Sequence, residues 1–228
     1  MKLRIHRALV VVLIAGWLAP AVTFAAIDLV PKEIIVGNDG ETAQIINNGN
    51  RPEYVSISLA HLLNPGVPLP DEKLEQVGDM ESPMLFVSPS KLTLAPGQAK
   101  TIMLKPMRPV DTETVYRLNV NPVIAALGEQ KTHAVGAVIV NLGFSGLVRQ
   151  LPASQHKALK VACDERGARL ISTGNVRYAV NGAKVNGRVI EPFNVYPGVP
   201  LPVPGNAVEI PGQPVCQFND SVSNQLSH

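Results

Sequence analysis

Prolines and glycines interrupt this chain too often for helices to persist. There are 20 prolines and 18 glycines among 228 residues. Proline kinks or ends a helix, and glycine weakens one. Between these breaks lie short runs rich in valine and isoleucine, which predicts an all-β chain with many turns. Tyr54 to Leu59 is the plainest case: Val55, Ile57 and Leu59 alternate with Tyr54, Ser56 and Ser58, the period of a half-buried strand. Ile27 to Val36 reads as one strand, ended by Gly37-Asn38-Asp39-Gly40. Thr42–Ile46, Leu85–Val87, Lys91–Leu94, Ala99–Leu104 and Thr114–Val120 follow. Residues 67–84 read as a long, proline-interrupted loop with at most one weak strand or helical turn. Its Asp71, Glu72 and Glu75 look like a solvated acidic cluster. After a hinge over 150–155 the rhythm restarts with Ala158–Cys163, Ala168–Ser172, Arg177–Val180 and Val189–Ile190. Gly174-Asn175 and Asn181-Gly182 are hairpin-type turn signals. Two immunoglobulin-like sandwiches fit this count and length.

The first 25 residues read as an export signal. Lys2, Arg4 and Arg7 form a basic start, Ala8–Ala19 an apolar stretch too short to span a bilayer, and Thr23 and Ala25 a small-residue cleavage site. The expected mature chain begins at Ala26, is soluble and has no membrane insertion. Removing three basic residues and no acidic ones takes the formal charge from +2 to −1. A near-neutral chain is not expected to bind nucleic acid. In an oxidising compartment Cys163 and Cys216 are expected to form one bridge.

Catalytic and metal-binding motifs are missing from the sequence. It contains no HExxH, GxSxG, Walker or GxGxxG pattern. His61, His133, His156 and His228 stand at no metal-ligand spacing. Neither an enzyme nor a cofactor is therefore expected; a secreted hydrolase would need a nucleophile, base and orienting group that no motif here supplies. The informative stretch is Val135–Val148, the longest apolar run after the signal. Val138, Val140, Leu142 and Phe144 alternate with Ile139, Asn141, Gly143 and Ser145. Residues 135–140 are apolar on both faces. Such a run suits a central strand buried on both sides, or an edge strand whose second apolar row is meant for a partner.

Several segments, in order, resemble the periplasmic chaperones of the chaperone–usher pathway, in particular the alternate branch that serves colonization-factor-like fimbriae. They are Val30-Pro31-Lys32-Glu33-Ile34, Leu63-Asn64-Pro65-Gly66, the stretch from Val87 to Gln98 with its Leu94-Ala95-Pro96-Gly97 turn, Glu113-Thr114-Val115-Tyr116-Arg117, Arg149–Pro152, and Val195-Tyr196-Pro197-Gly198. The resemblance implies two immunoglobulin-like domains, 26–149 and 156–228, set in an L. It implies a non-enzymatic periplasmic protein whose partners are fimbrial subunits and an outer-membrane usher. The long strand would be lent to a pilin sandwich that lacks one, with Val138, Val140, Leu142 and Phe144 on the lent row. Of the family's two basic residues that grip a subunit's terminal carboxylate, one falls on Lys32. The other falls on Ser145, which carries no charge, so Arg117 on the neighbouring strand is the candidate replacement. Whether two free copies cover each other's strand is left open. A structural fimbrial subunit or adhesin is the alternative, but its usual N-terminal donor extension is not seen before the first strand.

Overall fold

The computed structural model describes residues 26–123 and 142–217. The stretch read as an export signal, Val138, Val140, Ile139, His133 and His228 lie outside them. Nineteen strands and two single 3-10 turns make up the described chain, so the all-β expectation holds.

The first sandwich has one sheet of β1 (Ile27–Val30), β3 (Glu41–Asn47), β8 (Ala99–Pro106) and β6 (Leu85–Ser88). Facing it is a sheet ordered β2 (Glu33–Val36), β10 (Phe144–Gln150), β9 (Thr114–Pro122), β4 (Glu53–Leu62) and β5 (Leu74–Gln76), with β7 (Lys91–Leu94) also on β4. The inward rows alternate as sheet geometry requires. Leu29, Ile45, Leu85, Leu104, Leu118 and Val148 are all fully buried between the layers.

The second sandwich distributes shorter strands over smaller sheets: β11 (Leu159–Asp164), β12 (Gly167–Ser172) and β17 (Leu201–Pro204); β13 (Tyr178–Val180) and β16 (Phe193–Val195); and β15 (Arg188–Val189), β14 (Lys184–Val185), β18 (Ala207–Glu209) and β19 (Cys216–Gln217). Its separate core holds Leu170, Val195, Val208 and Ile210. The Cys163–Cys216 disulfide ties β11 to β19 across two of these sheets.

The structure revises several sequence-based expectations. Ile27–Val36 is not one strand. It breaks at Pro31-Lys32, where β1 pairs antiparallel with β3 and β2 pairs parallel with β10 in the opposite layer. Proline lacks the N–H that a continuous ladder needs. The hinge starts later than 150, because β10 runs through Gln150, whose side chain is buried and donates to the carbonyl of Arg108 at 3.0 Å. Residues 67–84 carry both kinds of element, two 3-10 turns and β5. The stretch 197–214, beyond the last of those expected strands, holds two more, β17 and β18.

Gly174-Asn175 does not close a hairpin, since β12 and β13 lie in different sheets; the same is true of Asn181-Gly182 between β13 and β14. Asn175 instead fastens the two domains. Its side chain donates to the carbonyls of Asp111 and Ser154, and its own carbonyl accepts from the Glu113 N–H. Only glycine fits at 174, where a Cβ would stand 2.1 Å from the His156 carbonyl oxygen.

Candidate functional site

The candidate functional region is the outer face of the larger sheet of the first domain, where it turns toward the second. Odd-numbered residues of β9 and β10 point to this face, while Tyr116, Leu118, Val120 and Val148 point to the core. Leu62, Val115 and Leu147 meet Tyr196 and Val199 of the second domain in a small apolar cluster.

Around that cluster runs a charged network. The Arg149 Nε donates to Glu113 at 2.6 Å, and its Nη1 reaches Glu33 at 3.2 Å. Arg177 of the second domain lies 3.0 Å from the same Glu33 oxygen, and its backbone N–H donates to the other Glu113 oxygen at 2.6 Å. Burial works against the Arg149 charge, but the two carboxylates outweigh it and raise its pKa further. Sequence reasoning did not single out Glu33 or Arg177. Glu113 was visible only as the first letter of the Glu113–Arg117 motif.

The anchor candidates Lys32 and Arg117 do not converge. Lys32 turns to Asp28, which it holds below the usual carboxylate range, and its ammonium sits 3.9 Å above the Phe144 ring. Arg117, two strands over on the outer row, is gripped by Glu72. Its Nε donates to one Glu72 oxygen at 2.9 Å and its Nη2 to the other. Glu72 is thus not part of a solvated cluster; its side chain is 6% exposed. The paired Arg117 charge makes that burial tolerable.

Of the expected lent row, Leu142 and Phe144 are described. Strict alternation would put them on one face. Leu142 is 63% exposed, whereas Phe144 packs against the first core. Phe144 is therefore a core residue of this protein and not part of an outward row. Between them, a Cβ on Gly143 would come 2.2 Å from the Asn121 side-chain oxygen.

The pairing of β10 is uneven. Along β9 it is paired from Phe144 to Gln150. On the other flank β2 covers only Leu147 to Gln150. Among the described residues, Phe144–Gly146 has no strand on that side.

Comparisons with known proteins agree on the architecture. No protein-family model matches the chain. A CS1 fimbrial protein of Escherichia coli, named as a subunit of those fimbriae, is 26% identical over 158 residues; the match takes in 68% of this chain and 65% of that protein, just under two thirds of its length. The class 5 fimbriae chaperone CfaA superposes with a TM-score of 0.63 at 20% identity, over 82% of this chain and 93% of CfaA. A protein of the Salmonella enterica complex of SafA pilin with SafB chaperone gives a TM-score of 0.57 at 16% identity, over 83% and 90%. This chain has the fold of the chaperones of chaperone–usher pili. In this chaperone fold the uneven flank of β10 and the Arg149 network lie on one sheet, at the junction of the two immunoglobulin-like domains.

His61, near the end of β4, stacks on Tyr116 with ring centres 5.4 Å apart and pairs with Glu75 of β5. Burial pushes its imidazole pKa down, and Glu75 partly opposes this. A folded-state value below the unfolded one means the folded chain binds fewer protons in the window between them. Its contribution is complete above the ordinary histidine value of about 6.5 and is lost as pH falls from there through the folded value. Urea melts from about pH 7 to pH 5 should show this loss, and His61→Gln should flatten it.

Proposed function

We propose that the exported protein is a periplasmic, non-catalytic chaperone that binds fimbrial subunits by lending them a strand, and passes them to an outer-membrane usher. The observation that carries this reading is the free flank of β10 at Phe144–Gly146, entered from the apolar run that begins at Val135. A subunit sandwich that lacks a strand exposes a groove and two unpaired edges, both aggregation hazards. Backbone added along β10 would pair such an edge, while Val138, Val140 and Leu142 fill the groove. The exposure of Leu142 beside Phe144, which is half-buried against the core, supports a separate outward row that ends at Gly143.

Each buried aliphatic side chain contributes about 1.5–3 kcal/mol, so three give about 5–9 kcal/mol gross. Ordering and association costs reduce this, which suits a contact that must later be released. Lys32 remains the proposed carboxylate anchor on the edge side, in competition with Asp28.

The test is coexpression with candidate fimbrial subunits in the bacterial periplasm. Val140→Asp should leave the free protein's Tm nearly unchanged and abolish recovery of the subunit. Ile139→Asp, which on this reading belongs to the row kept for the protein's own core, should unfold the first domain. If both substitutions unfold the free protein alike, no strand is being lent.

A further inference from the structure

We propose that Pro202 and Pro204 bar the open flank of β17 to strand addition, so that the second domain of one copy cannot take up the strand that another copy lends. The inference rests on the strand-lending reading above and adds to it the device that keeps the lent strand off this protein's own second domain.

The phase of the hydrogen bonds carries this. β17 ends its sheet, with β12 on one side and, among the described residues, no strand on the other. Along an antiparallel ladder, successive residues turn their backbone groups to opposite sides. The Gly205 N–H donates to the Arg166 carbonyl at 2.9 Å, and the register sets Val203 opposite Ala168 and Leu201 opposite Leu170. Residues 201, 203 and 205 therefore bond to β12, and 202 and 204 face the open side. Both are prolines. Within Leu201–Pro204 the open flank thus offers carbonyls and not one N–H. An added strand would find no donor for its own carbonyls there, and would meet a ring carbon where each hydrogen should be. The opposite phase would have cut β17 from β12, whereas this one leaves the existing ladder intact.

Other strands show the contrast. β6 ends the smaller sheet of the first domain. The Met107 N–H donates to the Met84 carbonyl, so Leu85 and Val87 face its open flank. The next positions in that phase are Pro83 and Pro89, which leaves two donors between prolines. β10 is the reverse case: no proline lies between Pro122 and Pro152. The Leu147 N–H donates to the Lys32 carbonyl on the β2 side, so Ser145, two residues back, turns its N–H and its carbonyl to the unpaired flank. A chain that keeps one apolar strand open for lending carries its own hazard, since every copy supplies both a strand and edges to receive it.

The test restores the missing donors. Pro202→Thr/Pro204→Thr creates two N–H groups at exposed positions and keeps the buried Val203 in place. The protein is the chain from Ala26 onward, and the probe is a fluorescent synthetic peptide of residues 135–145. The double variant should bind this peptide about tenfold or more tighter than wild type does. Hydrogen exchange should show the amides created at 202 and 204 protected by the peptide. An intact disulfide and a cooperative second-domain melt establish that the variant is folded. Where the double change unfolds the domain, Pro204→Thr alone restores one N–H and should give the same result with a smaller gain. A folded variant that binds the peptide no better than wild type overturns the proposal. Peptide-induced protection of β17 in the wild type overturns it as well. A gain at β17 with no fimbrial subunit captured by the wild type overturns the chaperone reading and leaves the barred edge standing.

Discussion

Arg149→Ala should cost the free protein roughly 3–5 kcal/mol. The side chain of Arg149 is 9% exposed and that of its partner Glu113 is fully enclosed. Truncating the arginine removes the hydrogen bond and strands a carboxylate with no water to solvate it. That desolvation cost, more than the lost attraction, makes the effect large. Glu113 keeps the Arg177 N–H on its other oxygen, so the damage reaches the second domain as well. Urea unfolding followed by tyrosine fluorescence would measure it. A second variant separates charge from shape. Arg149→Met/Glu113→Gln removes both charges at similar volume and should lose clearly less than the sum of the single changes. A loss below about 1 kcal/mol for Arg149→Ala would mean the pair is solvated and does not hold the junction.

Opening the Cys163–Cys216 bridge is the other large effect. The cysteines are 53 positions apart. Releasing a loop of that size returns enough chain entropy to the unfolded state to cost about 4 kcal/mol. The second domain has little to offset it. Its core is small, its sheets have two to four strands, and β19, which carries Cys216, is two residues long. The Cys163→Ser/Cys216→Ser variant should therefore lose its second-domain transition at ordinary temperature, while the first domain, with its larger core, melts where it did before. Calorimetry distinguishes the two transitions. Unchanged melting of the second domain after reduction would show that the unfolded chain was already constrained without the bridge.

What was legible in the sequence was local. Tyr54–Leu59 announced itself because burial on one face alone leaves a period-two pattern, and it became the central part of β4. The turn at Ala95-Pro96-Gly97-Gln98 followed from backbone chemistry, and Gly97 does adopt a positive φ of 71°. The second-domain cysteines could be paired because only two exist. What was not legible was decided at long range. Both halves of Ile27–Val36 are competent strands, so nothing local said that they would serve different sheets. Gly174-Asn175 carried the right residues for a hairpin, yet its hydrogen bonds are spent on the hinge. Glu72 looked like any loop acid, because its burial depends on an arginine 45 positions away. The candidate site divided in the same manner. Leu142 sits exposed where a lent row would end, but Phe144 was assigned to that row by strict alternation, which breaks at Gly143. Lys32 and Arg117 were each read as anchors, yet they face different partners.

The division of the first strand between layers has a mechanical consequence. β1 is stitched to β3 in one sheet and β2 to β10 in the other, so the opening segment is a zipper pull shared by both halves of the sandwich. β10 is seven residues long and β2 covers four of them. Stripping the chain back past Val36, by protease or by tension on its beginning, would bare the remaining flank and lengthen the accessible edge from three residues to all seven of β10. The segment thus sets how far any added backbone can travel along β10, and its loss would turn a short, self-limiting contact into one that runs on into the domain junction.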